Sequence, residues 1–139
     1  MLSSVMIEQF VISAFLVEPE KRWMMGKVKP EYFTDERWRK LFEIVRSDDI
    51  AGSPCDVLTV GDKSGMMEWC IWLAKEHVKS KNVETFIDTL SDLYKRRRII
   101  ELCADVTERT PNEKSDELID SIVSSVDAIA YGGSTDAAC

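Results

Sequence analysis

Apolar and polar residues alternate along this chain with the period of a helix. In IEQFVISAFLVEPE, Ile7, Phe10, Val11 and Ala14 recur at i, i+3, i+4 and i+7, which puts them on one helix face. Pro19 follows the run and closes it. KRWMMGKV holds a helical turn at most, and Pro30 in KPEYF resets the chain. TDERWRKLFEIV is the clearest helix. Thr34 or Asp35 caps it, Asp35 and Glu36 complement its positive end, and Trp38, Leu41, Phe42 and Val45 form one stripe. SDDIAGSP reads as a loop. CDVLTVGDKSG reads as a short helix capped by Asp56 and ending near Gly61 or Gly65. MMEWCIWLAKEHV adds another, with Met66, Trp69, Ile71 or Trp72, and Leu73 turned inward.

The character of the chain changes near Lys79–Asn82. From there one long helix is predicted from Val83 to Arg109, about 27 residues and roughly 40 Å at the α-helical rise. Pro111 in TPNEKS breaks it, and Ser115 caps a second helix with Asp116 and Glu117 in its first turn and Leu118, Ile122, Val126 and Ile129 along one side. Two long helices joined by a short polar loop make an antiparallel hairpin. The expected fold is therefore all-α: a compact helical head over 1–80, a hairpin over 81–131, and a small polar tail, GGSTDAAC, over 132–139 that reads as a flexible linker.

The hairpin stripe runs through Val83, Phe86, Ile87, Leu90, Leu93, Ile100, Cys103 and Val106, and the facing helix is shorter by about ten residues. Two helices alone leave much of that surface wet, and exposed apolar stripes of this size draw a partner. Self-association as a dimer or larger is expected, with Phe86, Leu90, Leu93, Tyr94, Arg97, Ile100, Ile122 and Val126 as the candidate interface.

Composition supports a helical protein of ordinary apolar content. Of 139 residues, 45% are hydrophobic and only six are glycine and four proline, which favours long regular elements. The net charge of −7 argues against a nucleic-acid surface, because such surfaces displace counterions with a coherent basic patch. Weak binding to single-stranded DNA, or none, is expected. The run Lys95–Arg98 does not reverse this: consecutive helix residues step by about 100°, so four in a row cannot share a face. One of them, Arg97, falls near the seam, where an ion pair with a facing helix sets register.

Chemistry is thinly represented. No GxxxxGK[ST] loop occurs, the four cysteines form no CxxC pair, and the one histidine, His77, is remote from them in sequence. No catalytic, metal or cofactor residue is assigned. His77 reads as a surface residue at a helix end, and Asp48–Asp49 as solvated loop charges. Trp69 and Trp72 read as core or interface in preference to base-stacking platforms. Widely spaced cysteines (Cys55, Cys70, Cys103, Cys139) suit reduced thiols in a cytoplasmic protein, with Cys70 and Cys103 acting as small apolar side chains. The N-terminal apolar run is too short to span a bilayer and carries Glu8 inside it, so no membrane role is expected.

Four segments in order carry a family resemblance: IEQFVISAFLVEPE, VKPEYFTDERWRKLFEIV, GSPCDVLTV and NVETFIDTLSDLYKRRRII. Together they resemble the N-terminal domain of DnaB-type replicative helicases over about residues 5 to 131. The resemblance implies a helical head and hairpin. It also implies pairing of hairpins between helicase subunits into a collar, and docking of primase or a helicase loader. The ATP-hydrolysing motor of the family has no counterpart here. The family's Gly-Gly-containing segment before the hairpin is replaced by the shorter GMMEWCIWLAKEHV, a divergence in the style of phage, prophage or plasmid versions. Three functions fit: an assembly domain of a helicase, with the tail as the start of its linker; a stand-alone collar mimic acting on a host helicase; and the helicase-binding domain of a primase. VKPEYF and SPCDVLTV favour the helicase side over the third.

Overall fold

In the computed structural model, which describes residues 4–131, all regular structure is helical. The α-helices are α1 (Ser4–Val17), α2 (Glu36–Ala51), α3 (Val57–Ser64), α4 (Met67–Glu76), α5 (Val83–Arg109) and α6 (Ser115–Tyr131), with 3-10 turns at Pro19–Lys27 and Pro30–Tyr32. The predicted tail, with Cys139, lies outside the described residues. Among the described residues no helix is long and apolar enough to cross a membrane.

The chain divides into two compact units, one ending at Ser91 and the other beginning at Asp92. The sequence puts its boundary near residue 81. The division falls a few turns later because Val83, Ile87 and Leu90 on the start of α5 are buried within the first unit.

In the first unit, α1 and α2 bring Phe15, Leu16, Trp38, Leu41 and Phe42 out of contact with water. The rings of Phe15 and Phe33 lie 6.0 Å and 5.1 Å from that of Phe42, inside the favourable range for aromatic pairs. Burial of each such side chain contributes about 1.5–3 kcal/mol.

Glu8, on the inward face of α1, is wholly buried. Its Oε1 accepts from the amides of Thr34 (2.6 Å) and Asp35 (3.0 Å), and its Oε2 from the Thr34 and Ser4 hydroxyls (both 2.7 Å). It satisfies backbone donors at the entrance to α2, where Asp35 is the cap and accepts from the Arg37 amide. At the other end of α1, Arg22 donates to the carbonyls of Phe15, Leu16 and Cys55, closing the helix C-terminus onto the segment before α3.

One detail differs from the sequence reading, and one alternative it left open is decided. Helix α2 continues through Ser47–Ala51 and ends on Gly52 at φ 70°, so the first five residues of the expected loop are helical. Asp48 is the reason: it is nearly buried and paired with Lys63 of α3 at 2.9 Å, which holds the last turn in place. Of the two ends offered for α3, Gly65 (φ 71°) is the one used. Gly61 lies inside α3, where a Cβ would sit 2.5 Å from Met67 Sδ and 3.1 Å from its Cα, so it permits the close approach of α4.

Candidate interaction surface

The second unit is the hairpin formed by α5 from Asp92 onward and α6. Its tip is closed by Arg109, whose guanidinium donates to Glu113 twice (2.5 and 2.8 Å), to Asp105 (2.9 Å) and to Ser121 of α6 (3.1 Å). The same contact holds the Glu113 carboxyl below its usual range. Within the described residues of this unit, Leu118 and Ile129 alone are buried apolar side chains.

Between the helices runs an open apolar groove of about 640 Å³, walled by Ile99, Leu102, Cys103 and Val106 from α5 and by Ile122, Val126 and Ile129 from α6. Lys95, Ile99, Leu102 and Val106 follow one another on α5 at four, three and four residues, a single helix face, with Cys103 beside Leu102. Val126 remains 49% exposed, and Ile99, Ile119 and Val123 are exposed as well.

The eight residues singled out in the sequence separate into three groups. Ile122 and Val126 lie on the groove. Leu90 is fully buried in the first unit, and Phe86 packs edge-on against Phe10 there at 4.9 Å. Leu93, Tyr94 and Arg97 are half-buried, and Ile100 is 69% exposed without lining the groove. Ile99 and Leu102 were not among the eight. A stripe phased on Leu93 and Ile100 passes beside them, whereas matching α5 to the Ile122, Val126, Ile129 ladder of α6 selects them.

The basic run is dispersed as its spacing requires. Arg96 pairs with Asp92 (2.7 Å) and Arg98 with Glu101 (2.6 Å), both on exposed surface. Lys95 reaches the groove, and Arg97 lies over the Tyr94 ring at 5.8 Å. The cation beside the groove is thus Lys95.

In the first unit, three expectations change. The His77 side chain is buried, 4% exposed, because Ser13 and Glu18 engage both ring nitrogens. Asp48 is ion-paired, as described above. Trp69, Ile71 and Trp72 are half-exposed and only Cys70 and Leu73 of α4 are buried, since α4 offers one narrow face to the core. Trp69 stands perpendicular to both Trp38 and Trp72, and Arg37 stacks over Trp38 and Trp69 at 4.6 and 4.3 Å while its guanidinium is held by Asp35. With its charge matched, this cluster is an aromatic–cation stack of the kind that rigidifies a helix pair. Cys70 is buried as expected, but Cys103 is exposed on the groove wall.

Residues 1–92 match the family model described as "DnaB-like helicase N terminal domain". No curated protein sequence matches the chain significantly. Among solved structures it is similar to the crystal structure of the N-terminal domain of DnaB helicase from Mycobacterium tuberculosis. That match has a TM-score of 0.74 at 16% identity and covers 86% of this chain and 93% of that one.

Proposed function

The chain belongs to the family of DnaB-like helicase N-terminal domains, and on that premise we propose that it is the noncatalytic assembly domain of a replicative DNA helicase, pairing with a second copy through the hairpin groove. The observation that carries this is the imbalance in the second unit. Among its described residues that unit buries only Leu118 and Ile129 as apolar side chains, while Ile99, Val123 and Val126 face water along or beside the groove. A second copy of the same groove supplies the missing cover with a surface of matching chemistry, and the repeated contact of a two-fold pair uses each patch twice.

Charge supports one orientation. The start of this unit carries Lys95–Arg98, whereas from Glu101 through Asp105, Glu108, Glu113, Asp116, Glu117 and Asp120 acids outnumber Arg109 and Lys114. An antiparallel pair sets the acidic tip of each hairpin against the basic base of the other, so association is favoured at low salt. The collar so formed is the docking surface for primase or a helicase loader, and nucleic-acid contact is weak at net charge −7. Val126→Asp and Ile122→Asp place a carboxylate in the groove. Each converts the pair to monomer in light scattering with unchanged helical circular dichroism, whereas pairing that survives both substitutions contradicts the groove as the contact. Pulldowns with a helicase, a primase and a loader as separate baits identify the partner of the assembled form.

A further inference from the structure

A buried polar chain crosses the first unit beside the segment that joins α4 to α5. Ser13 Oγ lies 2.8 Å from His77 Nδ1, and His77 Nε2 lies 2.6 Å from Glu18 Oε2. The histidine and glutamate side chains are each 4% exposed, so water cannot replace either partner. We propose that Ser13, His77 and Glu18 form a proton-dependent latch that fixes the α4–α5 junction.

Two proton arrangements fit the heavy atoms, and the latch is the difference between them. Ser13 lies inside α1 and its hydroxyl donates back to the carbonyl of Phe10 at 2.9 Å. While that proton stays on Phe10, Oγ is an acceptor, and an Nδ1 that bonds it carries a hydrogen. Nε2 also donates, to the Glu18 carboxylate. Both nitrogens donating is the imidazolium, and a buried cation opposite a buried carboxylate is a pair in which each charge compensates the other. When the ring loses a proton, Nε2–H stays with the carboxylate and Nδ1 becomes bare. The Ser13 proton must then leave Phe10 to meet it, and Glu18 faces a neutral ring. One hydrogen bond and one compensating charge are lost together.

Glu18 supplies the charge that the ring meets. From α1 the ring faces Ser13 and the Phe10 ring, at 6.4 Å between centroids, and from α5 Phe86 stacks behind Phe10. Glu8 of α1 is engaged with Thr34 and Asp35, Arg22 of the following 3-10 turn with three carbonyls, and Lys75 and Glu76 of α4 are exposed. The triad has the residue types of a nucleophilic site, but Ser13 is embedded in a helix whose amides are spent on helix bonds, so no oxyanion donor faces it.

The latch acts on the junction because little else holds it. Residues 77–80 are not helical, and Val78, Lys79 and Lys81 are exposed. After His77 the next buried side chain is Val83, the first residue of α5. His77 therefore anchors the path between the two helices.

His77 is the one histidine of the chain, so its ring gives a single set of nitrogen signals. The test follows those signals and the backbone amides of Val78–Asn82 by two-dimensional NMR of the full chain across the ring's titration. The expected result is a doubly protonated ring on the acid side and an Nε2–H tautomer on the basic side, with the junction amides shifting at the same midpoint. Glu18→Gln removes the charge. The amides then cease to track the ring and exchange with solvent about tenfold faster at all pH values. Ser13→Ala keeps the ion pair and keeps the tracking. A ring that titrates while the junction amides stay still, or a neutral ring with hydrogen on Nδ1 and a bare Nε2, overturns the latch. The wild-type titration decides even where a variant fails to fold.

Discussion

Glu8 is the side chain on which the head depends most for polar satisfaction, since four donors from two elements converge on one buried carboxylate. Glu8→Ala strands the Thr34 and Asp35 amides and is expected to cost about 3 kcal/mol, read as a fall in the urea midpoint; Glu8→Gln keeps the Oε1 acceptor and costs less. Three carboxylates set a pH dependence. Asp35 is held below its ordinary range chiefly by the Arg37 side chain, Asp56 by the Thr59 amide and hydroxyl, and Glu113 by Arg109. Each has a depressed value in the folded state, so its contribution is complete above the unfolded carboxylate range and is lost as pH falls through the folded one. Stability should decline below roughly pH 4, and Asp56→Asn, which keeps the helix cap without the titration, should flatten that decline in denaturation measured at successive pH values. The partners of these three carboxylates lie within four residues in the chain, whereas those of Glu8 and His77 do not. Glu8 reads as a polar interruption of an apolar helix and His77 as surface, because their partners are 26 and 64 positions away.

At the scale of elements, periodicity and caps carry most of the information, and the packing of α3 on α4 shows where it stops. The bounds of α5 and the Asp56 cap follow from local chemistry alone, whereas Ser115, read in sequence as the cap of α6, is its first helical residue. Gly61 and Gly65 look alike in sequence, both being plausible helix ends, yet one is a left-handed cap and the other a contact point. Gly61→Ala improves helix propensity by about 1 kcal/mol but forces Cβ against Met67, and overpacking of that kind costs about 1–3 kcal/mol. A net loss of thermal stability is expected, smaller in the double variant with Met67→Ala. The last turn of α2 was illegible for a related reason: Ser47 and Asp48 are poor helix formers, and the pair with Lys63 that keeps them helical is a tertiary contact. The stripe on α5 reads as one seam in sequence, whereas its apolar residues serve two purposes, burial in the first unit and the walls of the groove in the second.

For the whole molecule, the central claim is that the hairpin is completed by another copy. A second unit with two buried apolar side chains has too little interior of its own to hold long helices at low energy, since most helix stability comes from packing an apolar face. The all-α architecture and the family were legible in the order of the motifs; of the candidate residues for the proposed contact, Ile122 and Val126 line the groove while Leu90 is buried in the first unit. The most direct measurement is sedimentation equilibrium of the full chain over a concentration series at low and high salt. A reversible two-copy species that weakens with salt and disappears in Val126→Asp is the predicted result. A single species at the mass of one chain across the whole series, at either salt, contradicts the account.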